Sequence, residues 1–270
     1  MKTDRLSLIR QHLYSHGPAS VQQLADATGA SLATLRRDLA ALEAEGVIDR
    51  SHGGARLAQG SSVEVSFDMR ETEHIANKRM IADAAYRLIK PHSTIFLDSG
   101  TTILQLARRL RLDPMPIAVF TNGLAVAQEL LTAPRIRVML LGGQLRPDNA
   151  SIVGPQAEAM LERLHFDQLF MGASAIADDG MICSVDVSEA SLNGKMLARS
   201  RQKVLMADSS KFGAVATYAV APIGTASVVI CDAGLDPRWQ QMLAQSGVDL
   251  LLATPSTEPD AGPRDESELA

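Results

Sequence analysis

The sequence has only two cysteines, three tyrosines and one tryptophan among its 270 residues. Two cysteines are too few for a disulfide framework or a cysteine-rich zinc site, so a reducing cytoplasm is the expected compartment. No apolar run reaches the length of about 18 residues that a membrane span needs, and we expect neither a signal peptide nor a membrane anchor. The histidines lack metal-ligand spacing, so no metal site or cofactor is expected.

The sequence also lacks the strong positive charge typical of a nucleic-acid-binding protein, because its net charge is −5. The charge is uneven, however. Residues 1–58 hold seven Lys/Arg against six Asp/Glu (+1), and the remainder holds 19 against 25 (−6). A local basic face is sufficient for phosphate contacts. Because this face is modest, we expect the protein to bind DNA as a dimer or a larger homo-oligomer.

Residues 31–56 carry the most informative pattern in the chain. Four leucines follow one another at intervals of three, four and three residues, which predicts one buried face of a helix, formed by Leu32, Leu35, Leu39 and Leu42. Ser31 is placed to cap the N-terminus of this helix. The outer side carries Ala33, Thr34, Arg36 and Arg37. A helix of this kind can enter the major groove of double-stranded DNA.

The segments around this helix predict a winged helix-turn-helix. Apolar spacing indicates two earlier helices, and Gly29 lies in the turn before Ser31. After the helix, Gly53-Gly54 suits the tight turn of a hairpin over residues 47–57, which would be the wing. The residues expected to contact DNA are Ser31, Ala33, Thr34, Arg36, Arg37, Arg50, His52, Gly53, Gly54 and Arg56.

The pattern changes after residue 58. Residues 66–90 read as one long helix that Pro91 stops, with Lys78 and Arg79 pointing outward. From residue 93, short apolar strands alternate with helices, which predicts a mostly parallel sheet covered by helices. The strands are expected at residues 94–97, 117–120, 136–141, 168–171, 204–207 and 226–230, and the helices at 101–110, 124–131, 155–164 and 189–201.

Polar or glycine-rich turns follow three successive predicted strands. Such turns at the carboxyl ends of parallel strands predict a pocket for a small, polar, anionic ligand. Taken singly, each turn could equally be a helix cap or a simple chain reversal. The candidate ligand-binding residues of these turns are Asp98, Ser99, Gly100, Thr101, Thr102, Thr121, Asn122, Gly142 and Gly143.

Three further residues could join this pocket. Lys211 follows Asp208 at the end of another strand and could pair with a phosphate, or with Asp98 or Asp208 across the pocket, although an exposed turn lysine is an equal alternative. Asp186 and Glu189 lie at the start of a predicted helix. They could bind sugar hydroxyls, or Glu189 could simply favour the helix dipole.

These motifs together resemble one family. The residues 34–55 (TLRRDLAALEAEGVIDRSHGGA), followed by LDSGTT, TNGL, LLGG and ADSSKFG, are similar to the DeoR family of bacterial transcription regulators. The resemblance covers roughly residues 3–250, with the motifs in the same order. It implies a winged helix-turn-helix followed by a sensor domain similar to ribose-5-phosphate isomerase. It also implies a homo-oligomeric repressor of a carbohydrate catabolic operon that a phosphorylated sugar or related metabolite releases from DNA.

The resemblance also gives residue roles and a domain plan. It implies that Arg36 and Arg37 lie on the recognition helix, and that the sensor motifs from Asp98 to Lys211 line the effector pocket. The expected fold class is α+β overall, with a small winged helix-turn-helix domain and an α/β sensor domain with a mostly parallel sheet. The expected divisions are residues 1–58 for the DNA-binding domain, 59–92 for a linker and connecting helix, 93–253 for the sensor and 254–270 for a disordered acidic tail.

One departure from the family affects the expected ligand. The family commonly has a Lys-Arg pair in the helix after Glu189, where this chain has Asn193-Gly194. Lys195 comes one residue late and points about 100° away around the helix. A contact to the anionic group of the ligand is then missing, or it moves to Lys211.

Two other classes of function are considered. A sugar-phosphate isomerase with an added DNA-binding head could use Asp98 or Asp208 as a base and Lys211 as its electrostatic partner. The glycine-rich catalytic loops of such isomerases are not matched here, so a regulator without enzymatic activity is favoured. A plain protein-interaction module would leave the Arg36-Arg37 helix and the wing unexplained.

Overall fold

A computed structural model describes residues 2–44, 47–51, 53–57 and 67–254 of the chain. His52 lies outside these residues, and so does the expected tail except for its first residue, Thr254. Within the described ranges, no helix is long and apolar enough to cross a membrane. The same residues hold no group of three His, Cys, Asp or Glu that could bind a metal ion.

The N-terminal part folds as three helices and a three-stranded antiparallel sheet. Its elements are α1 (Lys2–His16), β1 (Ala19–Ser20), α2 (Val21–Thr28), α3 (Leu32–Ala44), β2 (Ile48–Ser51) and β3 (Gly54–Leu57). Ser20 caps α2 with a reciprocal pair of bonds to Gln23, and Gly29 ends α2 in a left-handed conformation with φ of 65°. The hairpin of β2 and β3 pairs with β1, so the wing is attached to the helices through Ala19.

The rest of the chain alternates helices and strands, as predicted. Its helices are α4 (Phe67–Thr72), α5 (Ile75–Tyr86), α6 (Thr101–Leu112), α7 (Leu124–Leu130), α8 (Pro155–Leu161), α9 (Val187–Ala198) and α10 (Pro237–Gln245). Its strands are β4 (Thr94–Leu97), β5 (Ile117–Thr121), β6 (Ile136–Leu140), β7 (Gln144–Arg146), β8 (Ser151–Val153), β9 (Phe166–Met171), β10 (Ala175–Ile176), β11 (Met181–Ser184), β12 (Ser200–Met206), β13 (Tyr218–Pro222), β14 (Val228–Asp232) and β15 (Asp249–Ala253).

Seven of these strands form one sheet in the order β15-β14-β12-β9-β4-β5-β6, and every pairing in it is parallel. Both faces of the sheet are covered. On β4, for example, Phe96 packs into the core on one face, and Ile95 and Leu97 pack into the core on the other. A strand buried on both faces needs a continuous apolar run, which explains the sequence Ile-Phe-Leu at this place. The expected fold class is therefore confirmed.

The predicted helix over residues 66–90 is wrong, because two helices occupy this segment. His74 has a left-handed backbone with φ of 47°, and it separates α4 from α5. The second helix also ends early, at Tyr86. The buried amide of Gln168 explains this end, because its Nε2 donates to the Leu88 carbonyl and its Oε1 accepts from the Lys90 N–H.

Several short strands and the last strand of the main sheet were missed by the sequence analysis. The small sheets β7-β8 and β10-β11-β13 lie beside the main sheet, and β15 pairs with β14 at its edge. The two-to-five-residue strands of the small sheets are too short for a periodic pattern. In β15, Leu251 and Leu252 are each 37% exposed, because the strand lies at an edge and has a neighbour on one side only.

Candidate functional site

Helix α3 presents a polar outer side next to a buried apolar side. The Thr34 N–H donates to Ser31 Oγ over 3.3 Å, so the predicted N-cap is confirmed. Leu35, Leu39 and Leu42 are completely buried, but Leu32 is 40% exposed, so its predicted burial is wrong. Leu32 is the first residue of the helix and lies beyond the edge of the small core.

The outer side of α3 carries the side chains that were expected to reach DNA. Ala33, Arg36 and Arg37 are exposed, and Thr34 is half-buried. The opposite side includes Asp38, which is buried and accepts hydrogen bonds from the Arg5 guanidinium of α1. This ion pair fixes α3 against α1 and was not anticipated, because Asp38 lies between leucines in a pattern that reads as apolar.

The wing has a glycine turn with two different requirements. Gly53 has φ of +87°, which L-residues rarely adopt, and Gly54 has so little space that an added Cβ would lie 2.7 Å from the Ala19 carbonyl oxygen. Arg56 is exposed on β3. Arg50 on β2 lies 3.5 Å from the Glu43 carboxylate, so this arginine is partly neutralised in the free protein.

A second polar cluster lies at the carboxyl edge of the main sheet. Four neighbouring strands, β12, β9, β4 and β5, end there. Gly172, Asp98 and Asn122 come directly after β9, β4 and β5, and Asp208 comes two residues after the end of β12. The predicted turns after β4, β5 and β12 therefore converge, because parallel strands bring their carboxyl ends to one edge. We call this group, with the side chains that contact it, the edge cluster.

Asp98 is the central carboxylate of the edge cluster. It is 6% exposed, and its Oδ2 accepts a hydrogen bond of 3.1 Å from the Gly172 N–H. Burial raises the pKa of Asp98 to about 6, against the opposing effect of hydrogen bonds from Ser99 and Gly172. The negative charge of Glu189 adds to the rise. Asp98 can therefore be protonated under mildly acidic conditions.

The turn after β5 leaves an acceptor free. Thr121 Oγ1 accepts from the Gly123 N–H over 3.0 Å, and Asn122 Nδ2 lies 3.4 Å from the Ile152 carbonyl. Within the described residues, the buried Oδ1 of Asn122 has no hydrogen-bond partner. A buried oxygen without a partner is costly, so this atom is available to a ligand hydroxyl or to water.

Glu189 organises the other side of the edge cluster. Its Oε1 accepts from Asn149 Nδ2 at 2.7 Å, Ser151 Oγ at 2.7 Å and Arg146 Nη1 at 3.1 Å. Asp186 caps α9 and also pairs with Arg146 at 3.3 Å. Glu189 thus joins β7, β8 and α9, a structural role that neither alternative from the sequence included.

The turn after β12 is held in place by two aspartates. Asp208 Oδ1 accepts from the Ser210 N–H at 3.1 Å, and the buried Asp208 Oδ2 has no partner among the described residues. Asp232 accepts from the N–H of Ser209 and of Gly234. Burial acts to raise the pKa of Asp232, but these hydrogen bonds outweigh it and the net shift is downward. The turn therefore presents Lys211 from a fixed backbone.

Arg146 is paired with Glu189 and Asp186, and three further cationic side chains of the described residues approach the edge cluster. Only Lys211 among these three was predicted from the sequence. Arg70 on α4 donates to Asn149 Oδ1 at 2.6 Å. Lys78 on α5 is 3% exposed and donates to the Arg70 carbonyl, so its predicted outward position is wrong. Burial first, and then the charge of Lys211, lower the pKa of Lys78 to about 8. A buried lysine beside two other cations favours the binding of an anion.

The spacing of α5 did contain a signal for Lys78. Its buried neighbours Ile81, Ala82 and Ala85 follow it by three, four and seven residues, so Lys78 lies on the apolar face of the helix. Arg70 and Asn149 had no comparable signal. Their 79-residue separation is closed only by the tertiary fold.

The remaining predicted ligand-binding residues lie at the start of α6 and in the turn after β6. Ser99, Thr101 and Thr102 are buried at the start of α6, and Gly100 caps this helix. Gly142 and Gly143 are exposed after the edge strand β6. An added Cβ at Gly143 would lie 2.7 Å from the Val153 carbonyl oxygen, so this glycine serves the close approach of β7 and β8.

The positions that depart from the family pattern lie on α9. Lys195 donates to Glu162 Oε1 at 2.6 Å and lies 3.4 Å from Glu158 Oε2, so it pairs with the α8 region and points away from Glu189. An added Cβ at Gly194 would meet no atom within 4 Å. Lys195 therefore does not replace the basic pair, in agreement with its expected orientation.

Comparisons with known proteins agree with this architecture. Residues 5–60 match the DeoR-like helix-turn-helix domain, and residues 73–233 match the DeoR C terminal sensor domain. The HTH-type transcriptional repressor CsqR of Escherichia coli (strain K12) is 34% identical over 236 residues, which are 87% of this chain and 90% of that protein. The HTH-type transcriptional regulator GlpR of Haloferax volcanii is 34% identical over 232 residues, covering 86% and 90% of the two chains.

Solved structures add only a distant likeness. Ribose 5-phosphate isomerase A from Methanocaldococcus jannaschii matches with a TM-score of 0.37 and 16% identity, over 50% of this chain and 53% of that chain. The relatives that span most of the chain are transcriptional regulators, so the protein is a regulator and not an isomerase. The chain belongs to the DeoR family of DNA-binding transcriptional repressors.

Proposed function

We propose that the protein represses a carbohydrate catabolic operon and leaves its DNA operator when a phosphorylated sugar or related metabolite binds the edge cluster. The observation that carries this proposal is the burial of Lys78 beside Arg70 and Lys211. Three neighbouring cations, of which Lys78 is buried, favour an anionic group. The acceptors Asn122 Oδ1 and Asp208 Oδ2 favour a hydroxylated one, because a hydroxyl can donate to each.

The same proposal assigns roles to the remaining candidate residues. Thr34 and Arg37 read base edges, whereas Arg50, Arg56 and the wing glycines contact the phosphate backbone. Asp98, Asn122, Glu189 and Lys211 surround the effector. The protein works in the cytoplasm as a homo-oligomer, because paired half-sites on DNA compensate for the modest basic face of one head.

Regulation by the ligand requires a difference in affinity between two states. A ligand that binds equally well to the DNA-bound and the free arrangement would shift nothing. The effector must therefore prefer the arrangement in which the heads no longer match the half-site spacing.

The test has two stages. DNA sequences that the protein enriches from a random pool provide its target, and a thermal-shift screen of phosphorylated sugars, polyols and their unphosphorylated forms provides the ligand. We expect a phosphorylated compound to raise the melting temperature and to release the enriched DNA. Lys78→Met should abolish the shift, whereas Lys195→Met, which removes a lysine paired outside the cluster, should retain it.

Each negative result has a definite meaning. A melting temperature raised only by unphosphorylated compounds would refute the phosphorylated ligand. A phosphorylated compound that binds but leaves the DNA bound would refute its role as inducer. Failure to enrich any DNA sequence would refute the operator itself.

A further inference from the structure

A side chain of the DNA-binding domain reaches the edge cluster of the sensor domain. Lys211 Nζ donates a hydrogen bond of 3.2 Å to the phenolic oxygen of Tyr14, across 197 residues of sequence. The same ammonium lies 6.0 Å from the centre of the Tyr14 ring. Lys211 thus joins the DNA-binding domain to the turn after β12, where its own N–H donates to the Asp208 carbonyl.

The position of Tyr14 on α1 explains why it can make this contact. Ile9 and Leu13 are buried in the core of the head, at 0% and 2% exposure. Tyr14 follows Leu13 and is turned about 100° further around the helix, so it points out of that core. It is half-buried, and its hydroxyl contacts Lys211 of the sensor domain. The Tyr14 side chain therefore lies between the two domains and not in the core of the DNA-binding domain.

Tyr14 also lies near a second cation of the edge cluster. Burial lowers the pKa of Arg70, while the nearby Glu189 and Tyr14 act to raise it. Arg70 in turn contacts Asn149, whose Nδ2 donates to Ser99 and Glu189. The phenol of Tyr14 thus stands beside two of the three cations that an anionic ligand would use.

We propose that Tyr14 closes the effector pocket from the DNA-binding domain, and that an anionic ligand that takes Lys211 displaces the phenol and releases α1 from the sensor. The closing contact is a property of the free protein. Its displacement by ligand rests on the proposed function. A Lys ammonium drawn to an anionic oxygen exchanges a neutral acceptor for a charged one, and charge-assisted hydrogen bonds are stronger.

The closing contact can be tested without any ligand. The protein has three tyrosines, so incorporation of 3-fluorotyrosine gives three ¹⁹F resonances, and Tyr14→Phe identifies the Tyr14 signal by its loss. We expect Lys211→Met to move the Tyr14 resonance by more than its linewidth and to leave the signals of Tyr86 and Tyr218 in place. An unmoved Tyr14 resonance in a folded Lys211→Met protein would overturn the proposal.

Amide hydrogen exchange gives a second measurement that does not depend on the Lys211 variant. Tyr14→Phe retains the ring and loses the hydroxyl, and it should lower the protection of α1 about fivefold. Tyr86→Phe is the matched control, because its hydroxyl bonds Asp113 at 2.6 Å within the sensor domain. Equal protection of α1 in wild type and Tyr14→Phe contradicts the closing contact.

The displacement step is tested with inorganic phosphate. The only tryptophan, Trp239, packs with ring centres 5.3 Å apart against Phe212, the residue after Lys211, so we expect its emission to change when an anion binds Lys211. Phosphate at a concentration that saturates the emission change should reduce α1 protection in wild type and have no effect in Tyr14→Phe. An emission that phosphate never changes, or a saturated change with α1 still protected, overturns this step.

These outcomes are distinct from failure of the proposed function. A protein that enriches no DNA could still show the Tyr14 resonance shift, which would leave the contact valid and the repressor role wrong. A protein that an effector releases from DNA, with Tyr14 unaffected, would retain the proposed function and require another route between the domains.

Discussion

Gly123 and Ser99 are in such close contact that a Cβ added to Gly123 would lie 2.8 Å from the Ser99 Cα. The turns after β5 and β4 therefore pack backbone against backbone. Gly100 is different, because a Cβ there would have no neighbour closer than 3.9 Å. The glycines at positions 100 and 123, which follow β4 and β5, thus differ in how closely their neighbours approach.

We expect Gly123→Ala to destabilise the protein by about 1–3 kcal/mol, because the backbone of the β4 turn must move. Gly100→Ala should change the free energy of unfolding by only about 0.5 kcal/mol but weaken anion binding, since its methyl group occupies the approach to the N-terminus of α6. Urea unfolding and thermal shift with phosphate measure the two effects. Equal destabilisation by both variants would contradict this distinction.

Asp98 predicts a pH-dependent stability. Its pKa is raised from 3.8 to about 6 in the folded protein, so the folded state binds more protons than the unfolded state between these values. Stability from this group is fully present below pH 3.8 and is lost as the pH rises through about 6. The loss amounts to about 3 kcal/mol at most.

Asp98→Asn should remove the contribution of this carboxyl group to the pH dependence, so the free energy of unfolding should fall less as the pH rises. Urea midpoints of wild type and variant at a series of pH values provide the measurement, and Asp249→Asn, at an exposed position of β15, provides the control. A wild-type stability that rises steadily with pH through this window, unchanged in Asp98→Asn, would show that the carboxyl group is not buried as described.

Lys78 predicts a pH-dependent anion affinity, and here burial lowers the pKa of the group instead of raising it. Its pKa is lowered to about 8, and an anion beside it favours the protonated form. Affinity should therefore be full below about pH 8 and fall toward about tenfold per unit above it. Sulfate is the suitable probe, because its charge stays constant over this range.

Titrations of Trp239 emission with sulfate at increasing pH would measure this fall. In Lys78→Met the affinity should be low at every pH and the decline above pH 8 should be absent. The same variant should be more stable than wild type at neutral pH, because a buried charge is removed. Strong sulfate binding by Lys78→Met would place the anion elsewhere.

Two leucines of α3 provide a matched test of the head. Leu39→Ala should destabilise the DNA-binding domain by about 3 kcal/mol, because it leaves a cavity in a small core. Leu32→Ala should cost about 0.5 kcal/mol or less, since Leu32 is 40% exposed. Amide hydrogen exchange of α2, measured during thermal unfolding, distinguishes unfolding of the DNA-binding domain from unfolding of the sensor domain. Similar losses in both variants would argue that Leu32 is buried.

Arg37 and Arg56 should affect DNA binding in different ways. Arg37→Ala should lose the preference for enriched over random DNA, because the substitution removes the side chain that we propose reads a base edge. Arg56→Ala should weaken binding to both DNAs alike and reduce the salt slope by about 1. Fluorescence anisotropy at several salt concentrations gives both quantities. Identical effects of the two substitutions on both DNAs would remove the distinction between base and phosphate contacts.

The sequence predicted most of what depends on local pattern. The polar side of α3, the turns after β4, β5 and β12 and the parallel sheet all follow from apolar spacing and turn residues, which act over a few positions. The predicted burial of Leu32 and the predicted single helix over residues 66–90 were wrong, because both depend on tertiary structure. The core of the head ends before Leu32, and the left-handed His74 divides the helix.

The cations of the edge cluster show the other limit of sequence reasoning. Lys78 could have been recognised from its spacing to Ile81 and Ala85, but charge alone led to an outward prediction. The contacts Arg70–Asn149 and Tyr14–Lys211 join residues 79 and 197 positions apart. No local pattern contains such pairs, because they exist only after the connecting segment has docked on the sheet.

The bend at His74 determines what the segment between the domains can do. Because α4 is separate from α5, it carries Arg70 onto Asn149 at the edge cluster, where Lys78 holds the Arg70 carbonyl. Helix α4, which follows the DNA-binding domain in the chain, therefore forms one wall of the proposed ligand site. Coupling between the proposed ligand site and the DNA-binding domain then needs no path through the interior of the sheet. Substitutions in the core of the sheet should therefore change the stability of the sensor domain, whereas substitutions in α4 should change how ligand binding affects DNA binding.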